Sequence, residues 1–247
     1  MPVPWPHDAA ELVALQRRLA AVASPPFRVA AVPRVGACFV CFAEDPDALA
    51  AGAEPAWAAA ATFAGGRRVA ANVIAGTTAA GYAPGLLALR AGPLLERAVA
   101  GLAVRPDVLL VDATGRDHPR RAGLALHLGA VLDLPTVGVT DRPLVATDVG
   151  GPAGSAVADQ RPLAWAGEIV AYRVRTRAGA RPVVAHAGWR TDPGTALAVV
   201  RSFAGAARTP APLREARRLA RTARAVAQGR APRPARTAVT RRSASAR

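Results

Sequence analysis

The chain has 247 residues, of which 51% are hydrophobic but only 4% aromatic, and its formal net charge is +15. This length suits one domain of ordinary size, with a core of small aliphatic side chains. No run approaches 18 apolar residues without a charge, no signal-peptide pattern opens the chain, and Cys38 and Cys41 are too few for a disulfide framework. These features argue against membrane and disulfide-rich secreted proteins, and we expect a soluble, cytoplasmic protein.

The first half of the chain predicts a helix, then β-structure, then a second helical segment. Asp8 is a suitable N-cap for the first helix, and Gly65-Gly66 is a suitable hairpin turn. Pro93 suits the first turn of a new helix, so we expect the second helical segment to be interrupted at Gly92. In chain order, the predicted elements are a helix at 8–23, strands at 28–32 and 35–42, a hairpin of strands 57–63 and 67–74, and helical sequence to about residue 104.

The second half predicts an alternation of strands and helices. The apolar run of residues 108–111, closed by Asp112, is typical of a central strand that is buried on both faces. Since a helix and another strand follow it, this part of the sheet should be parallel. The predicted elements are a strand at 107–112, a helix at 119–132, a strand at 136–139, further strands within 162–187, a helix at 194–205 and a basic helix at 214–228.

The positive charge is concentrated near the C-terminus. All 32 basic residues are arginines, and 12 of them fall from Arg208 onward, against one acid, Glu215. Arginine binds phosphate oxygens bidentately, so this segment favours contact with a nucleic-acid backbone, while a compositional bias toward arginine is the alternative. We divide the chain into an N-terminal helix at 1–27, a main domain at 28–207, and an Arg-rich helix with a disordered tail at 208–247.

Polar residues gather after the predicted central strand. Asp112 ends that strand, and a carboxylate there faces the crevice where α/β proteins bind ligands. His118 follows six residues later, and Arg120 and Arg121 would flank the N-terminus of the next helix, itself an anion site. The pattern indicates a phosphate-facing cleft with one metal-competent acid; the alternative is an aspartate that caps a loop beside a surface turn.

Four ordered blocks resemble the endonuclease V family. Residues 112–129 read Asp-Ala-Thr-Gly-Arg-Asp-His-Pro-Arg-Arg-Ala-Gly-Leu-Ala-Leu-His-Leu-Gly, which is similar to the family's Asp-Gly-x-Gly-x-x-His-Pro-Arg-x-x-Gly-x-Ala-x-His-x-Gly. Residues 82–90 resemble its Tyr-x-Pro-Gly-Phe-Leu-x-Phe-Arg loop. Residues 133–139 match a flanking strand, and residues 188–197 match a late Gly-His-Arg block. The resemblance covers roughly residues 28–220.

The resemblance implies a ribonuclease-H-like α/β fold, in which helices flank a mixed central sheet. It also implies a Mg²⁺-dependent DNA-repair nuclease that cleaves DNA, and in some members RNA, near inosine. Asp112 would be a catalytic metal ligand and His118 a second catalytic residue, while Tyr82 would wedge into the duplex beside the deaminated base. The full set of implied nucleic-acid-binding residues is Tyr82, Pro84, Gly85, Gly115, Arg120, Arg121 and Arg190.

The departures from the family concern its chemical groups. On the alignment of residues 29–33 with the family's first strand, Pro33 replaces a ligand aspartate; Ala91 replaces a glutamate and Asp141 a lysine. Trp189 replaces the late histidine and could stack on a base. One carboxylate is a poor site for Mg²⁺, which prefers several oxygen ligands.

Three hypotheses follow for the function. We favour a nucleic-acid-binding protein, assumed to be monomeric, whose hydrolysis is lost or much reduced; DNA with deaminated bases is the expected target, and RNA stays open. The first alternative is an active nuclease with a relocated carboxylate set of Asp112, Asp117 and Asp141. The second is a non-catalytic interaction protein with a basic tail. The Cys38-x-x-Cys41 pair is a weak zinc signal, because residues i and i+3 of a strand point to opposite faces.

Overall fold

A computed structural model describes residues 3–22, 25–28, 33–43, 47, 54–78, 80–81, 83–150 and 159–230. Within these ranges the strands are β1 (Val35–Phe42), β2 (Pro55–Ala64), β3 (Arg67–Thr77), β4 (Val108–Val111), β5 (Thr136–Thr140), β6 (Thr147–Asp148), β7 (Gln160–Trp165), β8 (Glu168–Val174) and β9 (Val183–Ala187). The helices are α1 (Ala9–Ala21), α2 (Leu87–Ala100), α3 (Leu124–Leu132), α4 (Pro193–Ala204) and α5 (Ala211–Ala227).

The strands form one mixed sheet in the order β3-β2-β1-β4-β5-β9-β8-β7-β6. Its centre is parallel, because β4 pairs in parallel with β1 on one side and with β5 on the other. The remaining strand pairs are antiparallel. The predicted parallel unit around residues 107–139 is therefore confirmed, and its carboxyl edge is where Asp112 leaves the sheet.

Helices cover both faces of the sheet. Leu109 and Val111 of β4 pack into the cluster that includes α2 and α3, whereas Val108 and Leu110 pack into the cluster with α4 and α5. β4 is therefore buried on both faces, as its apolar run predicts. The core is built largely from small side chains, including a row of buried alanines in β2. This three-layer α/β arrangement confirms the fold class expected from the sequence.

Several predicted boundaries are confirmed by local contacts. The carboxylate of Asp8 caps α1 by accepting a hydrogen bond from the Glu11 N–H at 2.8 Å. Gly65 and Gly66 have φ angles of 54° and 78°, the left-handed conformation that a two-residue hairpin turn requires. The predicted strand at 28–32 lies mostly outside the described residues.

Two helix predictions are wrong. α2 continues through Pro93, because its alanines and leucines pack against the sheet and the Trp5 ring fills the space above Gly92. α3 begins at Leu124 and not at residue 119, because Arg121 has a φ of 56° and Gly123 is extended. Packing outweighs the local preference in the first case, and backbone geometry ends the helix early in the second.

The Arg-rich helix is part of the fold. α5 spans the predicted basic helix and buries Leu213, Ala216 and Ala220 against the sheet, where it contacts β1 and β2. The predicted Arg-rich helix therefore packs directly on the central sheet. The predicted disordered end at 231–247 lies outside the described residues.

The two cysteines lie on opposite faces of the sheet, as predicted. Cys38 packs in the α2 and α3 layer, whereas Cys41 lies beneath α5, and both cysteines are buried and form no disulfide with each other. Burial raises the pKa of the Cys38 thiol well above its usual range. None of the helices in the described parts of the chain is long and apolar enough to cross a membrane.

His127 on α3 makes stability depend on pH. Its ring is fully buried and lies 4.5 Å from the Trp5 ring, and neither ring nitrogen has a hydrogen-bond partner among the described residues. Burial lowers its pKa to about 4. Because a histidine in the unfolded chain has a pKa of about 6.5, the unfolded state takes up a proton that the folded state excludes between those values. Stability should therefore fall as the pH drops from 6.5 to 4.

We expect His127→Phe to raise the free energy of unfolding at pH 7 by about 1 kcal/mol, because it removes two unpaired polar atoms and keeps an aromatic ring. It should also reduce the acid loss, by at most about 1.4 kcal/mol per pH unit. Urea unfolding at pH 7 and pH 4.5 measures both effects, with His7→Phe at an exposed position as the control. An unchanged pH dependence would show that His127 does not titrate on unfolding.

Candidate active site

Asp112 lies at the carboxyl edge of β4 and faces α5. Its carboxylate accepts a hydrogen bond from Nε of Arg217 at 2.8 Å, and the two side chains are 22% and 20% exposed. The contact joins residues 105 positions apart. The predicted metal-ligand candidate is thus paired with a permanent cation.

The position beside Asp112 in β1 belongs to Phe39. The parallel register pairs Val35 with Val108 and Cys38 with Val111, so the next residues on the two strands are Phe39 and Asp112. Pro33 precedes β1 at the opposite edge of the sheet, about 20 Å away at the usual rise per residue. The assignment of Pro33 to the ligand position is therefore wrong, and a phenyl ring stands there.

The other two replaced positions contribute no metal ligand beside Asp112. Ala91 is fully buried in the core between α2 and the sheet. Asp141 follows β5, is 67% exposed, and pairs with Arg208 at 2.6 Å.

Asp117 anchors a loop. Its carboxylate is fully buried and accepts hydrogen bonds at 2.8 Å from three backbone N–H groups, those of Leu144, Val145 and Ala146. It also lies 3.4 Å from Nδ1 of His186. In the part of the chain that the structure describes, no group of three His, Cys, Asp or Glu side chains could hold a metal ion. The structure thus does not assemble the relocated set of Asp112, Asp117 and Asp141.

His118 and Arg120 hold the loop that precedes α2. The buried His118 ring is hydrogen-bonded to the backbone of Gly85, and its Nδ1 accepts from the Arg120 N–H at 3.2 Å. Arg120 donates from Nη2 to the Gly85 carbonyl at 2.9 Å and from Nε to Gln16 at 2.5 Å. Burial, with help from the Arg120 charge, lowers the pKa of His118 to about 4. His118 is therefore neutral at pH 7 and positions the loop.

Of the three nucleic-acid contacts predicted within residues 82–85, Pro84 and Gly85 are among the described residues. Pro84 is exposed and precedes Gly85, which has a φ of 73°. Tyr82 lies outside the described residues. Sequence reasoning missed Gln16, which is buried on α1 and links that helix to the loop through Arg120.

Three further predicted contacts have structural partners. A Cβ on Gly115 would lie 2.0 Å from the Ala187 carbonyl oxygen, so this glycine permits a close backbone approach. Arg121 pairs with Glu168 on β8. Arg190 lies beyond β9, at the edge of the sheet opposite Asp112, and pairs with Asp133 at 3.3 Å. Arg120 and Arg121 precede α3 by several residues and do not flank its N-terminus.

Trp189, expected to stack on a base, packs against the leucines of α1 and α3. Its half-buried indole joins the cluster that contains Leu15, Leu19 and Leu126. The indole is thus used for packing on the helical layer away from α5.

A cleft between β1 and α5 is the main feature that sequence reasoning missed. It has a volume of about 920 Å³, and we call it the arginine cleft. Phe39 forms part of its floor, with the guanidinium carbons of Arg217 and Arg221 at 5.9 and 5.3 Å from the ring centre. The arginines that line it are Arg214, Arg217, Arg218, Arg221, Arg224 and Arg230. All of these except Arg230 lie on α5, where their spacing indicates one basic helix face, but only the fold shows that this face covers Asp112.

The residues around Asp112 do not fit a magnesium ion. Mg²⁺ requires near-octahedral oxygen coordination, usually with one or two carboxylates besides substrate phosphates. Here the neighbours of the single carboxylate are a phenyl ring and a guanidinium. The guanidinium places a positive charge where a cation would have to approach.

The parallel centre, the helices on both faces and the carboxylate at the carboxyl edge define a ribonuclease-H-like α/β fold. Among solved structures, Endonuclease V from Streptomyces avermitilis superposes with a TM-score of 0.80 at 30% identity, covering 92% of this chain and 98% of that one.

The sequence comparisons agree with the structural one. The sequence model of Endonuclease V matches residues 27–218. Endonuclease V from Streptomyces coelicolor is 36% identical over 228 residues, which are 90% of this chain and 94% of the relative. Endonuclease V from Methanopyrus kandleri is 45% identical over 150 residues, and this match spans 61% of the chain and 64% of that relative, less than two thirds of its length. The chain belongs to the Endonuclease V family.

Proposed function

We propose that this chain binds DNA at deaminated bases such as inosine and has lost Mg²⁺-dependent hydrolysis. The observation that carries the proposal is the pairing of Asp112 with Arg217 beside Phe39. Metal-assisted phosphodiester hydrolysis needs an ion that generates the nucleophile and stabilises the leaving oxygen. A site with one carboxylate, already neutralised by a guanidinium, does not support that ion.

The binding half of the proposal is supported by what the chain retains. His118 and Arg120 fix Gly85, so the loop that follows Tyr82 has a defined backbone position. Arginine side chains are concentrated in the arginine cleft, at the same edge of the sheet as Asp112. Together these features favour a protein that still engages nucleic acid where the family does.

The test measures binding and nicking on the same samples. Fluorescently labelled duplexes with and without one inosine are mixed with the full chain in Mg²⁺ or Mn²⁺. We expect tighter binding to the inosine duplex and no multiple-turnover nicking. Robust Mg²⁺-dependent nicking that disappears in Asp112→Ala would contradict the loss of hydrolysis. Equal affinity for both duplexes would instead favour an interaction protein that only contacts the phosphate backbone.

Tyr82 provides a specific test of lesion reading. Stacking of an aromatic ring on a base contributes about 1–3 kcal/mol, so Tyr82→Ala should reduce the preference for inosine duplex by roughly 5- to 150-fold. Tyr82→Phe keeps the ring and serves as the matched control, with the preference retained. Fluorescence anisotropy titrations of both duplexes give the ratio of Kd values. A preference that survives Tyr82→Ala would assign lesion reading to another residue.

A further inference from the structure

We infer that the arginine cleft is a metal-independent binding site for the phosphates of a nucleic-acid backbone, in which Arg217 supplies the positive charge beside Asp112. This inference rests on the proposed function and deepens it, because it names the surface that binds nucleic acid and states that this binding does not require Mg²⁺.

The charge of the cleft favours an anionic ligand. Six guanidiniums line it, and its described lining contains no acidic side chain. In the described part of the chain, two ion pairs join these arginines to carboxylates outside the lining: Asp112 pairs with Arg217, and Glu215 pairs with Arg218. The Arg218 and Arg68 guanidiniums hold the pKa of Glu215 below its usual range, so Glu215 stays ionised. A clear excess of positive charge remains after both pairs are counted.

The arrangement of the arginines suits a linear polyanion. Arg217 and Arg221 are one helical turn apart, about 6 Å along the axis of α5, so they can contact different phosphates of one strand. Arg224 continues the row and donates to the Phe42 carbonyl at 2.8 Å, which fixes the helix to the end of β1. Guanidiniums bind phosphate oxygens bidentately and remain charged at any physiological pH.

Arg221 is the arginine of this row that is best placed for a ligand. Its guanidinium lies over the Phe39 ring, and it has no carboxylate partner among the residues the structure describes. Arg217 is held by Asp112 and only 20% exposed, so its charge is fixed in position before any ligand arrives. The pair therefore combines one preorganised cation with one that is available for direct contact.

The experiment measures the affinity of the full chain for a plain labelled duplex between 50 and 200 mM salt, in Mg²⁺ and in excess EDTA. We expect EDTA to leave the affinity unchanged or to increase it. Arg221→Gln should flatten the slope of log affinity against log salt by about 0.9, the value for one phosphate contact. Arg217→Gln should flatten it as well. The matched control is Arg201→Gln on α4, an exposed arginine in the same helical layer that bonds to Gln160.

The outcomes separate the inference from the proposed function. Suppose that the wild type binds the duplexes without nicking them, but that the salt slopes of Arg217→Gln and Arg221→Gln equal that of Arg201→Gln. The cleft is then not the binding surface, while the proposed function stands. If EDTA abolishes binding, metal independence is wrong. If the wild type binds no duplex at all, the proposed function fails first. Thermal unfolding of Arg221→Gln, which breaks no ion pair seen in the described residues, shows that an altered slope is not caused by misfolding.

Discussion

The double substitution Phe39→Asp/Arg217→Ala is expected to create a divalent-cation site at the carboxyl edge of β4. It places a second carboxylate on the strand residue next to Asp112 and removes the guanidinium that neutralises the first. Two adjacent carboxylates supply the minimum that a hard cation requires from a protein. Isothermal titration with Mn²⁺ should show about one ion per chain, with a Kd on the order of 0.1–1 mM, and no saturable binding by the wild type.

The controls distinguish a designed site from adventitious binding. Asp112→Asn in the double variant should abolish the titration, and Arg217→Ala alone should leave it weak. We expect little hydrolysis even from the double variant, since the members of a catalytic unit act together and Ala91 still contributes no oxygen. Saturable Mn²⁺ binding by the wild type that is lost in Asp112→Ala would show that the guanidinium yields to a metal, and it would favour the active nuclease over the protein that has lost hydrolysis.

Gly115→Ala is expected to destabilise the fold by about 3 kcal/mol or more. The new Cβ would lie 2.0 Å from the carbonyl oxygen of Ala187 and 3.2 Å from Cα of Gly188. These are backbone atoms of the segment that ends β9, so relief requires a shift of the strand, and overpacking of this kind costs about 1–3 kcal/mol or occasionally more.

Thermal unfolding measures the effect, which corresponds to a fall in Tm of roughly 6–12 °C for a chain of this size. Gly194→Ala in the first turn of α4 is the control, because its Cβ would meet only the Asp192 carboxylate at 3.2 Å. If Gly115→Ala has the wild-type Tm but binds DNA more weakly, the close packing is not what requires this glycine. That result would support the nucleic-acid contact that the family resemblance implies.

Features of the fold that depend on local sequence were predicted well. The Asp8 cap, the Gly65-Gly66 turn and the apolar run of β4 each specify an element within a few residues, and the structure confirms all three. The helix break at Pro93 was predicted from an equally local rule and is wrong, because packing around Gly92 and Trp5 outweighs it. Local preference decides an element only where tertiary contacts do not oppose it.

The candidate site was harder to predict because its contacts are remote in sequence. The four residues Val-Ala-Ala-Val before Pro33 favour an alignment that places Pro33 at the ligand aspartate of the family's first strand. The small residues at 36–37 allow a second alignment, which places Phe39 at that position. Only the pairing of β1 with β4 decides between them. Arg217 belongs to a helix that composition identified as basic, yet nothing in the sequence places it on Asp112.

The position of α5 also affects how the chain folds during its synthesis. The helix covers Cys41 and Trp57, which belong to the first two strands of the sheet. About 150 residues separate the end of β2 from the start of α5, so at 5–20 residues per second the ribosome needs roughly 7–30 s to make them. During that interval the apolar side of these strands has no covering helix. Because transiently exposed apolar strands are prone to aggregation, we expect the nascent chain to be most prone to aggregation during this interval.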